Sequence, residues 1–187
     1  MSQVISTALK EWAIVVEAIL EGRHCLLLRK GGLREIHREF QIDHPEFLLY
    51  PTYEEQRPEH LLQAWREKLQ RIHSLRPDGS HVILKGYCAV EAAWEVPDPR
   101  RVLEPPGRVI WSPEYLRGEF PEGNPFCALL VRAFRLSQAR EIAELGKYAA
   151  SRTWVSLMDE ISIEGARPVM TDEAFRRQAG ELQRMLG

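Results

Sequence analysis

The sequence predicts an α+β fold: a mixed or antiparallel sheet, or a small β-barrel, with helices packed around it. Three observations point there. Strand-like runs outnumber helical ones, they do not alternate regularly with helices, and no glycine-rich phosphate loop follows any strand. The 187 residues, 44% apolar and 28% charged, suit one well-packed domain over 1–187, with a C-terminal helix at about 171–186 as an appended element.

The elements follow in order. "ALKEWAIVVEAILE" (8–21) places Leu9, Trp12, Ala13, Val16, Ile19 and Leu20 at helical spacing, with Ser6 or Thr7 as N-cap and Gly22 at the C-terminal end. The β-branched run Ile14, Val15 and Val16 makes a strand the rival reading. "HCLLLRK" reads as a buried strand closed by Gly31-Gly32, and "EFQID" and "EFLLYPT" as two more around a turn at His44-Pro45. "RPEHLLQAWREKLQRIH" is the clearest helix, with Pro58 in its first turn and Leu61, Leu62, Trp65, Leu69 and Ile72 as its apolar stripe. "RPDG" is a turn. In "YCAVEAAWEV", strand alternation sets Cys88, Val90, Ala92, Trp94 and Val96 on one face and Tyr87, Glu91 and Glu95 on the other.

In the second half, "PDPRRVLEPPG" reads as a loop, "RVIW" as a strand, and "SPEYLRGEF" as a short helix capped by Ser112. "NPFCALLVRAFRLS" is the most strand-like run, "SQAREIAELGKYA" is weakly helical, and "RTWVSL" is a last strand. Thr171 caps the final helix, whose inner face is Phe175, Ala179, Leu182 and Leu186.

The net charge of −2 does not steer the whole molecule toward polyanions, so such binding must come from a local patch. Residues 22–38 hold one: Arg23, Arg29, Lys30, Arg34 and Arg38 against Glu35, with His24 and His37 nearby. Guanidinium forks beside Gly31-Gly32 suit phosphate, because glycines let backbone N–H groups approach closely. A solvated charged turn is the competing reading. At the next strand end, Tyr50, Thr52, Tyr53 and Gln56 form a candidate pocket for a base or another planar ligand, with packing and capping as the plainer alternative. Glu91 and Glu95 are an alternative acid/base pair, or the wet side of a sheet.

Other chemistries find no foothold. The sequence lacks a G-x-S-x-G elbow, a Walker loop, H-E-x-x-H and C-x-x-C, and its six histidines are scattered singly. Cys25, Cys88 and Cys127 read as buried free thiols. No metal and no cofactor are expected. The first twenty residues do not read as a signal peptide, and no run is long enough to span a membrane, so a cytoplasmic location is expected.

Three stretches, "ALKEWAIVVEAILEGRHCLLLRKGGLRE", "FLLYPTYEEQ" and "VIWSPEYLRGEF", together resemble a bacterial family known as domain of unknown function 1802, over most of the chain. That resemblance implies an accessory role in restriction or defence, through the family's association with Mrr-type restriction endonuclease modules. A weaker similarity is to the ASCH branch of the PUA-like barrels, which carry G-x-K-x-x-E-x-R beside a cleft for RNA or nucleoside-like ligands. Here Gly22 and Arg29 match, while His24 and Leu27 replace the Lys and Glu.

The expected function is therefore a non-catalytic nucleic-acid-binding accessory module. Its partner would be DNA or RNA, bound weakly and with strong salt dependence, and a restriction endonuclease subunit is a second expected partner. The alternatives are a small enzyme acting on a nucleoside-like molecule, using Glu91, Glu95 or His24, and a protein-interaction subunit with an exposed apolar patch on its last helix.

Overall fold

The computed structural model describes residues 4–30, 35–36, 39–40, 44–103 and 109–187. Arg34 and Arg38 of the basic segment lie outside them. Strand β1 (Val4–Trp12) runs straight into helix α1 (Ala13–Leu20). Then come β2 (Leu26–Lys30), the short β3 (Glu35–Ile36) and β4 (Glu39–Phe40), and β5 (Glu46–Thr52). A 3-10 turn (Pro58–His60) leads to α2 (Gln63–Ser74), the long β6 (His81–Val96), and the short helices α3 (Arg100–Leu103) and α4 (Pro113–Glu119). The chain ends with β7 (Phe126–Ala143), α5 (Gly146–Ala150), β8 (Trp154–Ser162), β9 (Arg167–Pro168) and α6 (Asp172–Leu186).

The main sheet is mixed, in the order β2-β7-β6-β5-β1-β8, with β9 also on β7. Only β1 and β5 pair in parallel among its described strands. The α+β class with helices around a mixed sheet is thus the fold. The sheet does not close into a hydrogen-bonded barrel, since β2 and β8 remain its two ends.

Several local expectations change, each for a tertiary reason. The helix read over 8–21 is a strand followed by a helix. Leu9 to Trp12 are spent on pairing with β5, and the β-branched residues that favoured a strand lie inside α1. There Ile14, Val15 and Ile19 are fully buried, and burial overrides their weak helix propensity. Neither Ser6 nor Thr7 caps α1. Gln56 does so from a distance, its Oε1 accepting the Ile14 N–H at 3.2 Å. The other end closes as a Schellman turn: Gly22 N–H donates to Ile19 O at 2.9 Å and Arg23 N–H to Ala18 O at 3.0 Å, with Gly22 at φ 69°.

The helix read over 57–73 begins late because residues 60–62 pair with 110–112. Leu62 N–H reaches Ile110 O, Ser112 N–H reaches His60 O, and Leu61 bridges Trp111. That pairing is all that remains of the strand expected at "RVIW". The proline-rich loop contains the short α3. Residues 137–143, read as helical, extend β7, because His81 to Leu84 of β6 pair with Arg140 to Ala143.

The larger apolar core packs α1, α2, α4 and α6 on the sheet, and α6 contributes Phe175, Leu182 and Leu186 to it. A smaller core gathers Ile5, Leu48, Tyr50, Leu84, Val155 and Tyr148 around β1, β5, β6, β8 and α5. No helix among the described residues is long and apolar enough to cross a membrane.

Candidate ligand-binding cleft

The junctions just described meet at one place. β1 ends at Glu11-Trp12, the 3-10 turn ends at His60, and α4 carries Tyr115, held there because the Ser112 hydroxyl caps α4 by accepting the Tyr115 N–H. The three rings form a cluster. Trp12 and His60 stack with centroids 5.6 Å apart and 16° between planes, Trp12 and Tyr115 lie 5.1 Å apart, and His60 and Tyr115 lie 4.7 Å apart. All three are half-buried, and they line an open cleft of about 1090 Å³.

Beside the rings, Arg29 Nη1 lies 2.7 Å from Glu11 Oε2, with Glu11 buried at 8% exposure. Arg29 also donates to the carbonyls of Leu28 and Lys10, and Glu11 Oε1 accepts the Trp12 N–H. The described lining carries five carboxylates (Glu11, Glu55, Glu59, Glu114, Glu119) against four cations (Arg29, Lys30, Arg57, Arg152). Burial first, then the charges of Glu119, Glu11 and Glu55, push the Tyr115 phenol above its ordinary pKa.

Of the described cations of the basic segment, two share this cleft and Arg23 does not. Arg29 and Lys30 line this cleft, each held by a carboxylate, Lys30 by Glu119 at 2.7 Å. Arg23 lies in a different groove between α1 and α2, over the Trp65 ring at 4.5 Å. His24 is buried, edge-on to Trp111 at 5.4 Å between centroids, and its Nε2 has no hydrogen-bond partner. Desolvation lowers its pKa to about 4, opposed by a hydrogen bond with the Leu26 backbone. His24 is thus a neutral core residue.

Tyr50, Thr52 and Tyr53 line a third, smaller pocket of about 420 Å³. Tyr50 is committed there: its hydroxyl donates to the Glu144 carboxylate, and the Lys10 ammonium lies over its ring. Gln56 turns away from this pocket into the core to cap α1, and its amide donates to Thr52 O. Glu91 sits at a bulge, between Val90 opposite Val131 and Ala92 opposite Leu130. The bulge reverses the alternation, so Glu95 shares a face with Cys127 while Tyr87 stands opposite Phe134 on the other. Glu91 and Glu95 are exposed, His24 is buried, and none of the three lines the cleft. Among the described residues, no group of three or more His, Cys, Asp or Glu is placed to hold a metal ion. The three cysteines are buried and unbridged, and Cys25 Sγ donates to Gln178 Oε1 at 3.2 Å.

In the sequence Trp12 falls in a helix stripe, and His60 stands both among the scattered histidines and, with Glu54 and Glu55, in the crowd of polar residues at the junction after Tyr50. Only the motif strings hinted otherwise, since Trp12 lies in "LKEW" and Tyr115 in "SPEYLRGEF".

The molecule is thus an α+β protein with an aromatic-lined cleft at the ends of its elements. It belongs to the family described as domain of unknown function (DUF1802), whose model matches residues 8–181. No curated protein matches the chain. Solved structures similar to it include the ASCH protein of Zymomonas mobilis, 14% identical over 94% of each chain with a TM-score of 0.42. Two single-residue variants of that protein, also 14% identical, score 0.43 over 94% of each chain and 0.42 over 93% of this chain and 96% of that one.

Proposed function

We propose that this protein is a non-catalytic binding module whose cleft holds one unpaired base of a nucleic acid against Trp12 and Tyr115. The observation that carries this reading is the ring cluster half-exposed in an open cleft, since base–aromatic stacking contributes about 1–3 kcal/mol per base and tolerates any sequence. Arg57 and Arg152 at the rim suit one flanking phosphate. A long phosphate backbone has less to hold it, because Arg29 and Lys30 are already neutralised. Salt dependence is therefore shallow, with about one or two cations engaged.

The test is a calorimetric titration with short single strands of DNA and RNA, their duplexes, and single nucleotides. Single strands bind, duplexes bind more weakly, and Trp12→Ala or Tyr115→Ala weakens binding about tenfold. Single nucleotides that bind as well as strands would move the ligand from polymer to free nucleotide. Binding to nothing, or binding indifferent to both substitutions, would overturn the reading.

A further inference from the structure

We infer that the cleft prefers a base whose ring is cationic at neutral pH, through N-alkylation, over its neutral parent. This rests on the base-stacking reading above and adds the charge of the ligand to it.

The rings supply the first support. Aromatic faces are the negative ends of ring quadrupoles and attract a cation within about 6 Å, Trp most strongly. Trp12 and Tyr115 pack against each other, 5.1 Å apart and 42° from coplanar, and the ring surface they leave half-exposed lines the cleft.

The balance of charge supplies the second. Two of the four lining cations are taken, Arg29 by Glu11 and Lys30 by Glu119, a third, Arg57, lies 4.0 Å from Glu59, and Arg152 is the fourth. Glu55 also lines the cleft, and it makes no ion pair among the described residues. Its backbone is held at φ 62°, the left-handed region that a long side chain rarely adopts. The inward turn of Gln56 to cap α1 holds the chain there and leaves the Glu55 carboxylate at the cleft. After burial, the charges of Glu119, Glu11 and Glu55 raise the pKa of the Tyr115 phenol; those of Glu119 and Glu11 are matched by Lys30 and Arg29, and the field of Glu55 is left to act on a ligand charge in the same sense. A neutral base gains stacking alone. A cationic base gains stacking and this field.

Three nucleosides without phosphate separate charge from bulk: adenosine, N6-methyladenosine (a methyl and no charge) and 1-methyladenosine (a methyl and a ring charge). Calorimetric titration of the full chain at neutral pH is expected to show 1-methyladenosine binding about tenfold tighter than the other two. In Glu55→Asn, whose new side chain suits the left-handed backbone, the preference drops to about twofold. Equal affinity for all three overturns the inference and leaves base stacking intact. Tighter binding of both methylated forms overturns it too, because bulk would then decide. A full preference in Glu55→Asn overturns the part given to that carboxylate. If no nucleoside binds while a trimethyllysine peptide does, the base reading and the inference both fall, in favour of a protein ligand.

Discussion

Arg29 of β2 and Glu11 of β1 form a salt bridge across the gap that hydrogen bonds leave open, since β2 ends the sheet and β1 lies four strands away in its order. The sheet is an open ribbon in its ladder and a near-ring in its side chains. The Arg29 hydrogen bond to Lys10 O reinforces the seam at 3.3 Å. Arg29→Ala leaves the buried Glu11 carboxylate without its cation and destabilises the fold by roughly 3 kcal/mol in urea denaturation, while Glu11→Ala costs less, because Arg29 is partly exposed and keeps its carbonyl partners. The double variant Glu11→Leu/Arg29→Met costs less than the sum, because no charge is stranded. Single losses below about 0.5 kcal/mol would show that the seam does not hold the sheet.

His24 makes the stability pH-dependent. Its folded pKa, about 4, lies below the 6.5 of the unfolded chain, so between those values the unfolded state binds more protons. Stability is full above about pH 6.5 and falls as the pH drops toward 4, by up to about 3 kcal/mol. His24→Leu is expected to flatten that part of the curve in thermal melts from pH 4 to 7. An unchanged slope would place the titration elsewhere.

The remote cap on α1 gives a local test. Gln56→Ala strands the Ile14 N–H and costs about 1–2 kcal/mol. Hydrogen exchange in the first turn of α1 should rise more than in α6, which keeps its own Thr171 cap. Uniform exchange in both helices would show that Gln56 acts on global stability alone.

Gly86 lies next to a register shift of β6, and a Cβ there would run into the Leu20 side chain and sit 2.5 Å from Phe134 O. Gly86→Ala therefore costs about 1–3 kcal/mol through overpacking. A neutral effect would mean that α1 sits less tightly on the sheet than its buried face implies.

Much of this architecture was legible from periodicity and caps. β2, β5, α4 and α6 fall where apolar runs, Ser112 and Thr171 put them. The β1–α1 boundary was not legible, because a strand and a helix that share one continuous apolar pattern leave no break to read. Residues 137–143 look weakly helical alone and become strand only through pairing with distant β6. The cleft was the least visible part. Its rings come from residues 12, 60 and 115, and nothing local marks them as neighbours. The basic segment drew attention because its charges are adjacent in sequence. Folding instead separates Arg23 from Arg29 and pairs Arg29 with a glutamate eighteen positions earlier, on a strand predicted as helix.

The most direct measurement places a single fluorescent 2-aminopurine in a short single strand and follows its emission as the protein is added. Stacking in the cleft should quench it. The quenching should vanish in Trp12→Ala, weaken in Tyr115→Ala and be much reduced when the probe is paired in a duplex. Emission that does not change with the wild-type protein, or quenches equally with Trp12→Ala, would contradict base capture by this cleft.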